Sequence, residues 1–286
     1  MISIDILDQA YLAGDEVSQL NFIKHSKHYQ FRKYYRSGLR SHIFEVLLTE
    51  DVKRETQGEI QDGIRVFPRA KPQKMFRIFR SRFDSKESIF FEIKRYKILL
   101  EHLGREFIAL SEEFIADYRG TGFSRIVLCG LQEYVPGEIL DPFRLMGRDS
   151  LHTLLSSMPH GIELRARVKI AERSIESFVK GIRRLMENTG YIPDLAGVGN
   201  LILTPGGNIK LVDINNIVDI RLDNTIHLDD KGYPACDVSV QVLSILEQDL
   251  LNLEVIDKDS VYQLFLTPKR QEKVKKIEQQ FYRNLQ

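Results

Sequence analysis

Cysteine is scarce in this chain of 286 residues: only Cys129 and Cys236 occur, which excludes a disulfide framework, and no repeated Cys or His spacing is present to build a zinc site. Both stand among apolar neighbours and are expected as buried thiols. Long apolar runs are lacking too. No window approaches the roughly eighteen residues that a membrane-spanning helix needs, so no span is expected. Net charge is almost absent, at +1, and gives no global reason to expect nucleic acid or an anionic membrane as partner. The opening residues, Met1-Ile-Ser-Ile-Asp5, carry no basic segment followed by an apolar one. A secretory signal is therefore not expected, and a cytoplasmic location is. None of the seven histidines stands beside a nucleophile or another histidine, so no triad or metal cluster is argued. Internal repeats and low-complexity linkers are missing as well.

What is present is ordinary globular composition, 43% apolar and 28% charged, with material for a full core at a length that suits one large or two modest domains. The charge is unevenly placed. Lys24, Lys27, Arg32, Lys33, Arg36 and Arg40 follow one another without an intervening acid. So do seven basic residues from Arg65 to Arg82. Such runs are solvated strand faces, or else a positive surface that attracts phosphates or an anionic substrate.

Residues 1–33 are mixed and are expected as an N-terminal extension, with an amphipathic helix near residues 15–25. Strand character begins at Tyr34 and includes the apolar run 41–48, while the polar stretch 49–63, with Gly58 and Gly63, is expected as a loop. Residues 74–80 are rich in strand formers. Asp84-Ser-Lys-Glu87 has the order of a capping box. Ile89, Ile93, Tyr96, Leu100 and Leu103 then mark one helical face, which Gly104 ends. A further strand, 124–135, stops at Pro136-Gly137. Beyond it helices are expected over 141–157, 163–188, 237–253 and from 268, with Thr204-Pro-Gly-Gly-Asn208 turning between short strands at 201–203 and 209–212. The expected class is α+β: a strand-rich part with one helix, 34–136, and a helix-rich part, 137–286.

The stretch that carries chemistry runs from Tyr191 to Asp213. It places Asp194 and Asn200 on a loop after a long helix, and a tight hairpin then carries Asp213 to the end of a second strand. An acid and an amide oxygen at two such strand ends can face each other across a small gap. Oxygen ligands of that kind suit magnesium held jointly with phosphate oxygens.

The segment resembles the catalytic loop and metal-binding turn of the protein-kinase-like superfamily, in the looser form of aminoglycoside and other small-molecule phosphotransferases. The resemblance implies a two-lobed kinase-like fold, with a small β-rich N-lobe and a larger helical C-lobe, that binds ATP with Mg2+ and transfers phosphate to a hydroxyl of a small molecule, sugar or protein. It implies Asp194 as catalytic base and Asn200 and Asp213 as metal ligands. Glu133-Tyr-Val-Pro-Gly137 resembles the hinge, where backbone groups such as those of Glu133 and Val135 would meet the adenine edge. Arg77 stands where the phosphate-binding strand lysine is expected, Glu92 where its helix partner is, and Gly38 in the flap over the phosphates. Asp237 resembles the buried acid that begins a helix of the large lobe. The chain also departs from the pattern. Ile192-Pro193 precedes the first acid in place of a His-containing pair, and Asp194 and Asn200 stand one residue farther apart than in Asp-x-x-x-x-Asn. Arginine replaces lysine at 77, and Ile-Asn-Asn216 follows Asp213 instead of Phe-Gly. These departures motivate the alternative, a pseudokinase that binds nucleotide or a protein partner without chemistry.

Overall fold

Alternation of apolar and polar side chains makes a sheet of the first half of the chain, and a 3.6-residue period makes helices of the second. The structure, a computed structural model, describes residues 5–24, 26–35, 40–120, 122–144, 149–251 and 259–285. It is mixed α and β, with an antiparallel sheet followed by a largely helical C-terminal part. Among the described residues no helix is long and apolar enough to cross a membrane. The chain divides into two compact units, Met1–Ile93 with Leu110–Tyr134, and Lys94–Ala109 with Val135–Gln286.

The first unit begins with a short helix, α1 (Gly14–Ser18), and then supplies β1 (Tyr29–Lys33), β2 (Ser41–Leu48), helix α2 (Thr49–Gln57), a small hairpin of β3 (Glu59–Gln61) and β4 (Ile64–Val66), and β5 (Lys74–Phe79). Helix α3 (Lys86–Leu103) follows, then β6 (Ser111–Gly120) and β7 (Phe123–Glu133). The five long strands form one antiparallel sheet in the order β1-β2-β5-β7-β6. Phe44, Phe76, Ile78, Val127 and Cys129 form one side of its core. On the other side Phe79 and Leu128 pack on Ile89 of α3.

Three expectations need correction here. Residues 1–33 are not an appendage, because Ile6, Leu7, Leu12, Val17 and Leu20 are buried in the sheet's core and β1 is its edge strand. The helix expected near 15–25 is shorter and earlier, five residues in α1. The stretch 49–63 is not a loop: α2 buries no side chain, so it shows no apolar period, and its first turn carries Glu50 and Asp51, which suit the positive end of a helix. β6 was not anticipated, since charges at Glu112, Glu113, Asp117 and Arg119 interrupt its apolar alternation. The start of α3 is held by Ser85, whose Oγ accepts from Ser88 N–H at 3.2 Å.

The second unit takes the C-terminal half of α3 and then β8 (Glu138–Ile139), α4 (Asp149–Ser156) and α5 (Leu164–Thr189). After them come β9 (Tyr191–Pro193), β10 (Leu201–Leu203), β11 (Ile209–Leu211) and β12 (Ile217–Asp219). Helix α6 (Ala235–Ile245), continued as a wider turn over Leu246–Leu250, precedes α7 (Ser260–Phe265) and α8 (Pro268–Leu285). The unit boundary thus falls inside α3 and at Tyr134–Val135, not at 136–137, because Tyr96, Leu99 and Leu103 belong to the core of α5, α6 and the short strands. On α5 Ala171, Ile175, Phe178, Val179, Ile182 and Leu185 are buried, with Val168 half-buried beside them. Gly190, with φ +72°, ends that helix in the left-handed conformation. Both cysteines are buried, and burial pushes their thiols up, Cys236 to about 12.

Candidate functional site

The turn after α5 sets the site. β9 pairs antiparallel with β12, and β10 with β11 and β8. The loop 194–200 therefore leaves β9 and enters β10, while 212–216 leaves β11 and enters β12, so two connections emerge side by side. Backbone hydrogen bonds tie them together. Asp194 N donates to Asn216 O at 2.8 Å, and Val212 N donates to Asn200 O at 2.8 Å. The second bond continues the β10–β11 ladder by one step, which places Asn200 beside Val212 and the half-buried Asp213 one residue beyond.

Asp194 is buried, 8% exposed, and its carboxylate is held from both connections. Oδ1 accepts from Ala196 N at 2.9 Å and Oδ2 from Asn216 Nδ2 at 2.6 Å. The loop itself is anchored from below, where Leu195 N donates to Ser239 Oγ of α6 at 3.0 Å.

Asn200 is oriented by a different bond. Its Nδ2 donates to Asp194 O at 2.9 Å, which turns Oδ1 the other way. Gly197 makes room for that side chain: a Cβ at 197 would come within 2.6 Å of Oδ1 and 2.7 Å of Nδ2. The Gly-rich spelling Gly197-Val-Gly-Asn200 is thus partly a packing requirement of the amide. Among the described residues no three His, Cys, Asp or Glu side chains are grouped to hold a metal ion. The oxygens here that could hold a metal are those of the Asn200 amide and the Asp213 carboxylate.

Asp237 lies at the start of α6, 1% exposed, as an acid beginning a buried helix. Its partner is Arg270 of α8, with Nε donating to Oδ1 at 2.5 Å and Nη2 to Oδ2 at 3.2 Å. Nothing in the local sequence pointed to Arg270, since the two lie thirty-three residues apart.

The remaining candidates lie in the first unit. Arg77 is 5% exposed, and its Nη2 donates to Glu113 Oε1 at 2.8 Å, with its guanidinium 5.3 Å from the Phe79 ring. An arginine so buried and already charge-compensated is committed to the sheet, which separates it from an accessible phosphate contact. Glu113 carries no local signal in the sequence, since it stands in a strand whose charges mask its period. Glu92 is half-buried on α3. Glu133 ends β7, where its N–H donates to Leu110 O at 2.7 Å and its Oε2 accepts from Leu110 N at 3.2 Å. Val135, 9% exposed, is the first residue of the second unit's longer segment. Gly38 lies outside the described residues.

The basic runs are only partly spent inside the fold, and Lys24, Lys27, Arg65, Arg69 and Lys71 are exposed. Arg32 bonds Glu45 and Glu55, Arg82 bonds Asp8, and Arg80 donates to Leu7 O. Asn216, in the sequence only a departure from Phe-Gly, is the residue that holds the Asp194 carboxylate across the two connections. No family model matches the chain, and no curated protein is significantly similar to it.

Proposed function

We propose that the protein is an ATP-dependent phosphotransferase acting on a hydroxyl of a small molecule, sugar or protein, with magnesium and nucleotide phosphates taken up at Asn200 and Asp213. The observation that carries this reading is the Asn200 amide. With Nδ2 committed to Asp194 O, Oδ1 is the end left to bind, and no described residue donates to it. One amide and one carboxylate oxygen, leaving most of the sphere to water and phosphate, fit magnesium, which keeps several waters, better than calcium, which gathers six to eight oxygens. When bound, magnesium would neutralise phosphate charge during transfer.

The chain's own part is placement. The Val212–Asn200 bond holds the two ligand positions one ladder step apart, and Asn216 fixes the carboxylate that would accept the hydroxyl proton, Asp194. The order of parts supports the same reading: an antiparallel sheet with a helix between its third and fourth strands, then the loop–hairpin–turn of 191–219, then a buried acid opening α6. One observation favours the second reading, a pseudokinase: both oxygens of Asp194 already accept hydrogen bonds, one from Ala196 and one from Asn216.

The test is thermal melting with ATP, with and without magnesium. A ligand at a hundred times its Kd stabilises the folded state by about 2.7 kcal/mol. The wild type is expected to gain a magnesium-dependent rise in Tm that Asp213→Asn loses. An equal rise without magnesium, or in the variant, would refute the site. ADP release with an acceptor then separates the phosphotransferase from the pseudokinase.

Gly197→Ala is expected to act on the same step without touching a ligand residue. The added Cβ displaces the Asn200 amide. The apparent Kd for magnesium–ATP should rise by roughly tenfold or more, the equivalent of about 1.4 kcal/mol. Circular dichroism should show the fold unchanged, since Gly197 is exposed. Unaltered affinity would mean that Asn200 is no ligand.

A further inference from the structure

The first unit contains a cavity of about 880 Å³ that the proposed phosphotransferase site does not use. Strand register places it. Phe76 pairs with Leu131, and Arg77 pairs with Gly130, which in turn faces Glu113. Lys74, Phe76, Leu131 and Phe114 therefore share one face of the sheet, while Arg77, Gly130 and Glu113 occupy the other. The cavity lies on the Phe76 face.

Its floor is apolar. Phe31, Val46, Phe76, Phe114 and Leu131 line it, with Phe76 stacked on Phe114 at 6.3 Å and tilted against Phe31 at 5.5 Å. Phe22 and Ile23, on the segment after α1, supply a wall. Its charge has one sign. Lys24, Lys27 and Lys74 line it and no acid does, and among the described residues none of the three lysines is in an ion pair. Of the acids on the same sheet face, Glu112 and Glu133 lie outside the lining, and Glu133 is turned to Leu110 N.

A concave apolar chamber of this size falls within the range of small-molecule sites, about 300–1,000 Å³. Three ammonium groups outside any ion pair, with no acid in the lining, favour a positive potential there. We infer that the cavity binds a single-chain amphiphilic carboxylate, a fatty acid, with its tail on the phenylalanine floor and its carboxylate among Lys24, Lys27 and Lys74. Lysine suits the task, being a flexible point charge rather than a planar fork. The occupant is a single free fatty acid, sized to the cavity and its phenylalanine floor.

The chain has no tryptophan, so Gln73→Trp, exposed among the lining residues, installs a single reporter. A dansyl-labelled undecanoate, kept below its micelle concentration, is expected to give saturable energy transfer from that tryptophan at one per chain. Dodecanoate should displace it, and dodecanol should do so at least about tenfold more weakly, which is about 1.4 kcal/mol of head-group recognition. Replacing all three lysines by alanine should weaken dodecanoate by a similar factor while leaving Tm and dodecanol binding unchanged, and Phe114→Ala should weaken both ligands. Calorimetry of dodecanoate on the unsubstituted chain checks that the introduced indole neither creates nor blocks the site. The inference fails if no saturable binding occurs, if dodecanol matches dodecanoate, if the lysine variant binds as before, or if binding appears only with anionic phospholipid vesicles.

Discussion

Replacing Arg270 by methionine is expected to destabilise the second unit by about 3–5 kcal/mol, the usual cost of removing one partner from a buried ion pair. At about 2–4 °C per kcal/mol for a unit of this size, Tm should fall by roughly 6–20 °C. The guanidinium is nearly all internal, 7% exposed, and it holds more than Asp237. Nη1 donates to Asp223 O at 2.7 Å and Nη2 to Thr225 O at 3.1 Å, while the group lies 4.2 Å from the Phe265 ring centre. Methionine fills the stem but leaves the buried Asp237 without its cation and two carbonyls without a donor. The double variant Asp237→Leu/Arg270→Met should recover much of the loss, because removing both charges removes the uncompensated one. Melting followed by circular dichroism measures both. A fall of under about 2 °C in the single variant would show that the pair is not structural.

Exchanging the partners of the buried carboxylate separates chemistry from architecture. On the proposed function, Asp194→Asn should lower turnover by about 100- to 10,000-fold, the range of a positioned general base, with nucleotide binding retained. The single variant sets an amide against the Nδ2 of Asn216, so some stability is also lost. The reciprocal pair, Asp194→Asn with Asn216→Asp, restores a carboxylate–amide contact at that place and should recover Tm. It should not recover turnover, because the acid now hangs from the other connection. Recovery of both would make Asp194 a scaffold residue only. Steady-state ADP release alongside Tm for the three variants decides it.

Strong periods are legible in the sequence itself. The stripe from Ala171 to Leu185, the turn Thr204–Asn208 between two short strands and the strand 74–79 all stand where local pattern put them. Each is a property of neighbours in sequence: an apolar repeat, a turn composition, a β-branched and aromatic run. The misreadings also have local causes. Helix α2 has no apolar face to advertise it, and β6 carries charges on a strand whose Glu113 is buried by pairing with Arg77. No local rule distinguishes such a strand from a solvated loop. The N-terminal segment looks like an extension in sequence because its apolar residues, Ile6, Leu7 and Leu12, follow no period. They are buried by the sheet face they cover and not by an element of their own.

The candidate site divides the same way. Sequence alone determined the kinds and spacing of the donors, an acid, an amide and a second acid around a hairpin, because spacing along a chain is a covalent fact. Tertiary structure decided their states. Asn200 offers Oδ1 because Asp194 O holds Nδ2, Asp194 is steadied by Asn216 from a different connection, Asp237 is compensated by Arg270, and Arg77 is spent on Glu113. A hydrogen bond or ion pair forms between groups brought within about 3 Å, whatever their separation in sequence. Which partner a buried polar group finds is therefore set by packing.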